Sequence, residues 1–173
     1  MAKAVVLLSG GLDSATCLAL AKEQGFEPIA VSFSYGQRHA VELESAQKLV
    51  AHYNVEKHYL FKVGVFTQLG GSALTADVPV RKSNTVADIG DEAPATYVPA
   101  RNTLFLAHAL SVAEREKALD IFIGVNALDH HGYPDCRPAF IVAFEALANV
   151  ATAATTTGGQ HMRLHAPLME MDK

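Results

Sequence analysis

The tightest constraint on this chain lies at its amino end, where Ala4-Val5-Val6-Leu7-Leu8 runs straight into Ser9-Gly10-Gly11. An unbroken apolar run closed by glycines describes a strand covered on both faces, the condition of a parallel sheet. A helix-period segment follows. In Ser14 to Gln24 the residues Cys17, Leu18, Leu20 and Ala21 fall at helical spacing, and Gly25 stands where the helix should stop. The alternation then repeats: Pro28 to Tyr35 is β-rich, His39 to His52 carries Leu43, Ala46, Leu49 and Val50 on one face, and His58 to Val63 gives a third strand. Residues 64–97 change character, with prolines, charges and little periodicity, and are expected to form a mobile loop or lid. Beyond them Thr103 to Lys117 predicts a buried helix and Leu119 to Val125 a fourth strand. Pro138 to Val150 predicts a helix apolar on every side, Ala151 to Gln160 a connection, and Met162 to Met169 a fifth strand. This order predicts an α/β fold: one domain over 1–173, a doubly wound parallel sheet of about five strands with helices on both faces.

Composition narrows the function classes. The 173 residues are 50% hydrophobic and 18% charged, against about 25% charged in average soluble chains. So apolar a composition points to a heavily covered sheet or a subunit interface, and together with the all-round apolar segment Pro138 to Val150 it predicts a homodimer or larger assembly. The balance of 14 Lys and Arg against 18 Asp and Glu is −4, with no basic block, so no nucleic-acid partner is expected. No apolar run approaches the roughly 18 residues of a membrane span, and the first run is too short for a signal peptide, which predicts a soluble, cytoplasmic protein without a membrane partner. Cys17 and Cys136 form no CxxC pair. Neither a disulfide framework nor a cysteine zinc site is written in them; reduced thiols are expected, with Cys17 in the core.

The chemistry concentrates in Ser9-Gly10-Gly11-Leu12-Asp13-Ser14, placed between the first strand and the first helix. Glycines let backbone amides approach an anion, Ser14 is positioned to cap the helix, and the helix amino end adds positive potential, so a phosphate is well received. The Walker loop is excluded because its lysine is missing, and GxGxxG does not match. A glycine-rich turn without a ligand is the plain alternative; Asp13 and the two serines weigh against it.

SGGLDS resembles the signature of the N-type ATP pyrophosphatases, which cleave ATP between its α and β phosphates. Three further blocks match one branch: Ser34-Tyr35-Gly36-Gln37-Arg38-His39, Val98-Pro99-Ala100-Arg101-Asn102 with Leu104-Phe105-Leu106, and Gly132-Tyr133-Pro134-Asp135-Cys136-Arg137. Together they resemble the 7-cyano-7-deazaguanine synthases of the queuosine pathway, in blocks from Ala4 to Lys173. The resemblance implies an adenine nucleotide alpha hydrolase-like fold and an ATP-dependent ligase, with 7-carboxy-7-deazaguanine and ammonia as substrates and a nitrile as product.

For the residues, the resemblance implies a phosphate cradle of Ser9, Gly10, Gly11, Leu12, Asp13 and Ser14, with Asp13 holding magnesium. Arg101 is expected to meet phosphate or the substrate carboxylate with its planar fork. Arg38 and Lys173 are expected near phosphate. The loop after the fourth strand should sit at the carboxyl edge of the sheet, where open α/β folds bind ligands. There a carboxylate, Asp129 or Asp135, would read the paired N–H donors of the deazaguanine, with Tyr35, Tyr133 and Arg137 beside it. The adjacent His130 and His131 lack a third ligand and read as a polar loop. Two departures stand out. Family members continue into a helical stretch and a four-cysteine zinc cluster that are absent here, so zinc is expected of the family but without ligands in this sequence, and Ala15 replaces a customary hydroxyl residue. The competing readings are another N-type ATP pyrophosphatase acting on a different carboxylate, amide or tRNA base, or an ATP-binding module without turnover.

Overall fold

The computed structural model describes residues 1–35, 40–69, 97–126, 133–169 and 171. Five parallel strands, β1 (Lys3–Leu7), β2 (Glu27–Ser34), β3 (Lys57–Lys62), β4 (Asp120–Phe122) and β5 (Arg163–His165), lie in the order β3-β2-β1-β4-β5. The helices between them are α1 (Leu12–Glu23), α2 (Ala40–His52), α3 (Val65–Leu69), α4 (Arg101–Glu116), α5 (Pro138–Ala151) and α6 (Ala153–Thr156), with a short 3-10 turn at Pro134–Cys136.

Alternate residues of the central strands separate two cores, as a pleated sheet requires. Ala4, Val6, Leu8 and Ala30 pack with Cys17, Leu18 and Ala21 of α1 and Ala46 of α2. Val5, Leu7, Ile29, Val31 and Phe33 face the other way, against Leu106, Ala109 and Leu110 of α4 and Ile141 and Phe144 of α5. The chain winds outward from β1 to β3, then returns to place β4 on the opposite side of β1. That reversal carries the later helices to the second face, because the crossover hand is constant. Such a switch point, between β1 and β4, opens a crevice at the carboxyl ends of the strands.

Three helices end by the same device. Gly25, Asn54 and Lys117 take positive φ values of 83°, 50° and 58°, and the following amides of Phe26, Val55 and Ala118 donate to the carbonyls of Ala21, Val50 and Ala113.

The fifth strand is shorter than Met162 to Met169 suggested: after His165 the segment at Pro167 to Met169 turns. The fourth strand narrows to three paired residues, while Ile123 and Val125 stay buried without extending the ladder. Within 64–97, expected as loop, Val65–Leu69 forms a helix pinned by Phe66, which is 1% exposed. Residues 70–96 lie outside the described residues. The expected connection Ala151 to Gln160 contains α6, and the turn that follows it requires Gly158: a Cβ there would sit 2.4 Å from the Ala154 carbonyl oxygen.

Candidate active site

The Ser9–Ser14 loop leaves β1 at the switch point and enters α1. Gly10 takes φ of 93°, and a Cβ there would lie 2.1 Å from the Glu42 carbonyl oxygen and 2.8 Å from the Ala46 nitrogen of α2. Only glycine lets the loop press so closely on α2. Gly11 is different, since a Cβ on it would meet nothing nearer than the Ser9 hydroxyl at 3.5 Å. Its bareness serves the open side of the loop.

Ser14 braces the loop from within. The backbone N–H groups of Ser9 and Gly10 each donate to its Oγ at 3.2 Å, the Ser9 hydroxyl donates at 3.1 Å, and Ser14 donates to the Gly11 carbonyl at 2.9 Å. The expectation that Ser14 caps the helix is therefore corrected: Gly11 is the N-cap and receives no side-chain cap. Helix α1 begins two residues earlier than Ser14 because the loop, not a capping side chain, sets its entry. Its first turn brings helix-terminal N–H groups and positive potential to the loop. Asp13 lies in that turn, and Asn126, just beyond β4, donates from Nδ2 to its Oδ2 at 2.9 Å. Gly124 makes this approach possible, for a Cβ there would come within 3.0 Å of the Asp13 backbone.

A cavity of about 350 Å³ opens beside the loop. Ser9, Gly11, Leu12, Asp13 and Ser14 line one side; Arg101, the first residue of α4, lines another; Tyr35 and Tyr133 also border it. Tyr35 packs its ring against Phe66 and Phe105, at 5.6 and 5.4 Å between centroids. Gly10 faces α2 and not this cavity. Arg101 follows Ala100, which holds φ of 53°, an unusual conformation for a residue with a side chain, steadied by its N–H donating to the Tyr97 hydroxyl at 3.2 Å.

Asp135 has a different place from the one expected. It is buried, and its Oδ2 accepts the Asn102 backbone N–H at 2.9 Å, capping the start of α4, while Asn102 Nδ2 donates to the Asp135 carbonyl at 3.0 Å and to Cys136 Sγ at 3.3 Å. The carboxylate is aimed at α4 and does not border the cavity. Arg137 is exposed at the N-cap of α5, also away from it. Asp129, His130, His131, Arg38, His39 and Lys173 lie outside the described residues. Sequence reasoning missed Asn126 and Asn102; each is a polar residue in an apolar neighbourhood at a strand or helix end, which was the available signal.

Cys17 and Cys136 are buried in separate cores. Burial, with Asp13 nearby, pushes the Cys17 thiol up to about 12, so it is an inert core group. Among the described residues no three His, Cys, Asp or Glu side chains converge as a metal cluster, and no helix is long and apolar enough to cross a membrane.

The family described as Queuosine biosynthesis protein QueC matches residues 3–173. The chain is 56% identical over 170 residues to a protein named 7-cyano-7-deazaguanine synthase from Kineococcus radiotolerans, covering 98% of this chain and 73% of that one. It is equally 56% identical over 171 residues to the protein of that name from Geobacter sulfurreducens, covering 99% and 70%. Among solved structures it is similar to a predicted subunit of tRNA methyltransferase from Methanocaldococcus jannaschii, with TM-score 0.59 at 14% identity over 99% of this chain and 70% of that one. A 4-thiouridine synthetase solved with RNA and bound ATP gives TM-score 0.52 at 18% identity, over 99% and 38%. Those two share the fold, the doubly wound sheet expected from the sequence. The sequence relatives match nearly the whole chain at 56% identity, and this chain belongs to the queuosine biosynthesis protein QueC family, the 7-cyano-7-deazaguanine synthases.

Proposed function

We propose that this chain converts 7-carboxy-7-deazaguanine and ammonia to 7-cyano-7-deazaguanine, using ATP for two successive adenylations. The observation that carries the reading is the convergence of the Ser9–Ser14 loop, Asp13 and Arg101 on one cavity at the switch point of the sheet. A carboxylate is a poor electrophile. Its oxygen attacks the α-phosphorus, the bond to the bridging oxygen breaks, and pyrophosphate leaves. Ammonia then adds to the acyl carbon, gives up a proton and expels AMP, leaving the amide. The amide oxygen attacks a second ATP in the same way; departure of AMP with loss of both nitrogen protons gives the nitrile.

The chain's own residues serve these steps by electrostatics and placement. The first turn of α1 and the Ser9 hydroxyl face the departing pyrophosphate, stabilising charge as it develops. Arg101, fixed at the start of α4, offers two parallel donors to phosphate or to the substrate carboxylate. Asp13 fits a magnesium ion, which commonly takes one carboxylate plus phosphate oxygens, and Asn126 orients that carboxylate. Magnesium bound there would neutralise charge on the leaving group. Zinc does not fit: the two cysteines of this sequence sit in different cores, and no step is assigned to it.

Asp129 is the better candidate to read the base, since Asp135 is engaged in capping α4. Tyr35 and Tyr133 would flank the base, and Arg38 and Lys173 would add charge to the phosphates. A homodimer is supported by the outer side of α5, where Val142, Leu147 and Val150 are 69%, 50% and 75% exposed. Two cysteines buried in separate cores suit a reducing, cytoplasmic setting.

The test is turnover by the purified chain with ATP, magnesium, ammonium and 7-carboxy-7-deazaguanine, following AMP and nitrile by mass spectrometry. Two AMP per nitrile are expected. ATP binding by calorimetry with no AMP formed would overturn the ligase reading in favour of a binding module.

A further inference from the structure

A line of buried polar atoms reaches the phosphate loop from β3 across β2. Ser32 is fully buried in the middle of β2, among Ile29, Ala30, Val31 and Phe33, where an aliphatic side chain would be expected. Its hydroxyl donates to the Leu8 carbonyl at 2.5 Å and lies 2.8 Å from Nε2 of the half-buried His58. A serine hydroxyl has one proton. Two oxygens at that separation require the hydrogen between them, so Ser32 accepts from His58, and the imidazole carries its proton on Nε2. Burial pushes His58 below the ordinary histidine range, in keeping with a neutral ring.

Leu8 is where β1 stops being a strand. The ladder with β2 ends at Leu7 opposite Val31. The Leu8 N–H still donates to the Val31 carbonyl at 2.8 Å, but its own carbonyl is received by the Ser32 side chain. The next residue, Ser9, already gives its N–H and hydroxyl to Ser14. The loop is therefore fixed at its root by Ser32, which holds Leu8, and two residues further on by the wedge of Gly10 against α2. We propose that His58 and Ser32 are positioning residues, a relay through the Leu8 carbonyl that sets the angle at which the Ser9–Ser14 loop leaves the sheet and so its geometry for receiving phosphate. The inference rests on the reading of that loop as the phosphate-binding element.

The test compares Ser32→Thr with Ser32→Val, which add the same bulk at a buried position and differ in the hydroxyl. Magnesium-ATP affinity by calorimetry, melting temperature, and the backbone amide resonances of Ser9, Gly10 and Gly11 are measured for both. The valine variant is expected to bind ATP about tenfold more weakly than the threonine variant, with displaced loop amides. Equal ATP affinity and unmoved loop amides, even with a lower melting temperature for valine, would reduce the pair to an ordinary core hydrogen bond and overturn the proposal. Imidazole nitrogen shifts of the unsubstituted protein should show the Nε2–H tautomer of His58; the other tautomer would break the relay outright. If the Ser32 variants do not fold, His58→Gln against His58→Phe asks the same question from the half-buried end. Should the unsubstituted chain fail to bind ATP, the phosphate reading falls, while the tautomer and the amide shifts still decide the relay.

Discussion

The two edges of the sheet hold their polar groups in opposite ways. At the amino edge, Glu116 closes α4 and draws in Lys57 Nζ at 2.5 Å, the Tyr59 hydroxyl at 2.6 Å and Lys3 Nζ at 3.7 Å. Its carboxylate, 8% exposed, meets positive charge and donors on three sides. At the carboxyl edge, Asp13 and Arg101 instead border an open cavity, and the loop between them and β1 is braced by serine hydroxyls. One edge buries its charge among donors, and the other lines a cavity with it. On the proposed function, substitutions at the amino edge should change stability and those at the carboxyl edge turnover.

The largest effect is expected at the open edge. Asp13→Ala removes a carboxylate that borders the cavity and touches Asn126. It should lower AMP formation by about a thousandfold, the scale seen when one preorganised electrostatic group is lost, and also lower the melting temperature, because the buried Asn126 amide loses its acceptor. Turnover that survives within a few-fold would show that the Asp13 carboxylate takes no part in the chemistry.

Gly10→Ala tests whether the two edges differ in rigidity as well as charge. The added Cβ meets backbone of α2 at 2.1 and 2.8 Å, and neither atom can rotate away. Strain of this kind should cost about 3 kcal/mol of stability and also weaken ATP binding. Urea unfolding measures the first and calorimetry the second. An alanine variant of normal stability would mean that loop and α2 can separate freely.

Asp135 belongs to the open edge by position but is closed by its hydrogen bonds, and so sharpens the comparison. Asp135→Ala strips the cap from α4 and should cost about 1 to 2 kcal/mol. It should also raise the KM for ATP, because Arg101 begins that helix. Asp135→Asn keeps an acceptor for the Asn102 amide and should recover most of the loss. If the asparagine variant were fully stable yet lost 7-carboxy-7-deazaguanine binding in calorimetry, Asp135 would be a reader of the base and Asp129 would not.

The sequence made the strand and helix alternation visible because each apolar run is short and each helix keeps its period, and Gly25 marked its helix end plainly. Lys117 ends α4 with the same backbone, and no residue preference announces it. The loop at Ser9 to Ser14 was legible as chemistry, since glycines beside a strand end and a carboxylate in a first helical turn have a clear physical use. The internal bonding of that loop was not. Ser14 braces a turn whose shape its residue types do not announce, and Asp135 as a cap and Ser32 as a tether are hydrogen bonds spanning 33 and 24 residues, which local patterning does not encode. Phe66 was likewise hidden: a single aromatic anchors α3 within a segment whose composition reads as loop.

The smallest effect is expected at the closed edge, and it depends on pH. The Lys57 ammonium and the Tyr59 hydroxyl, both bonded to Glu116, hold its carboxyl down from 4.5 to about 2. Above pH 4.5 the group is ionised whether the chain is folded or not, and its contribution to stability is fully present. As pH falls from 4.5 toward 2 the unfolded chain takes the proton first, and that contribution drains away across this window. Glu116→Gln keeps the shape but cannot titrate. Its stability, followed by urea unfolding at successive pH values, should therefore fall less steeply between those limits than that of the unsubstituted chain, while ATP turnover near pH 7 stays unchanged. Superimposable acid profiles would show that the amino-edge cluster contributes no pH-dependent stability. A loss of turnover in this variant would do more damage, because it would couple the two edges through α4, whose first residue is Arg101 and whose last is Glu116.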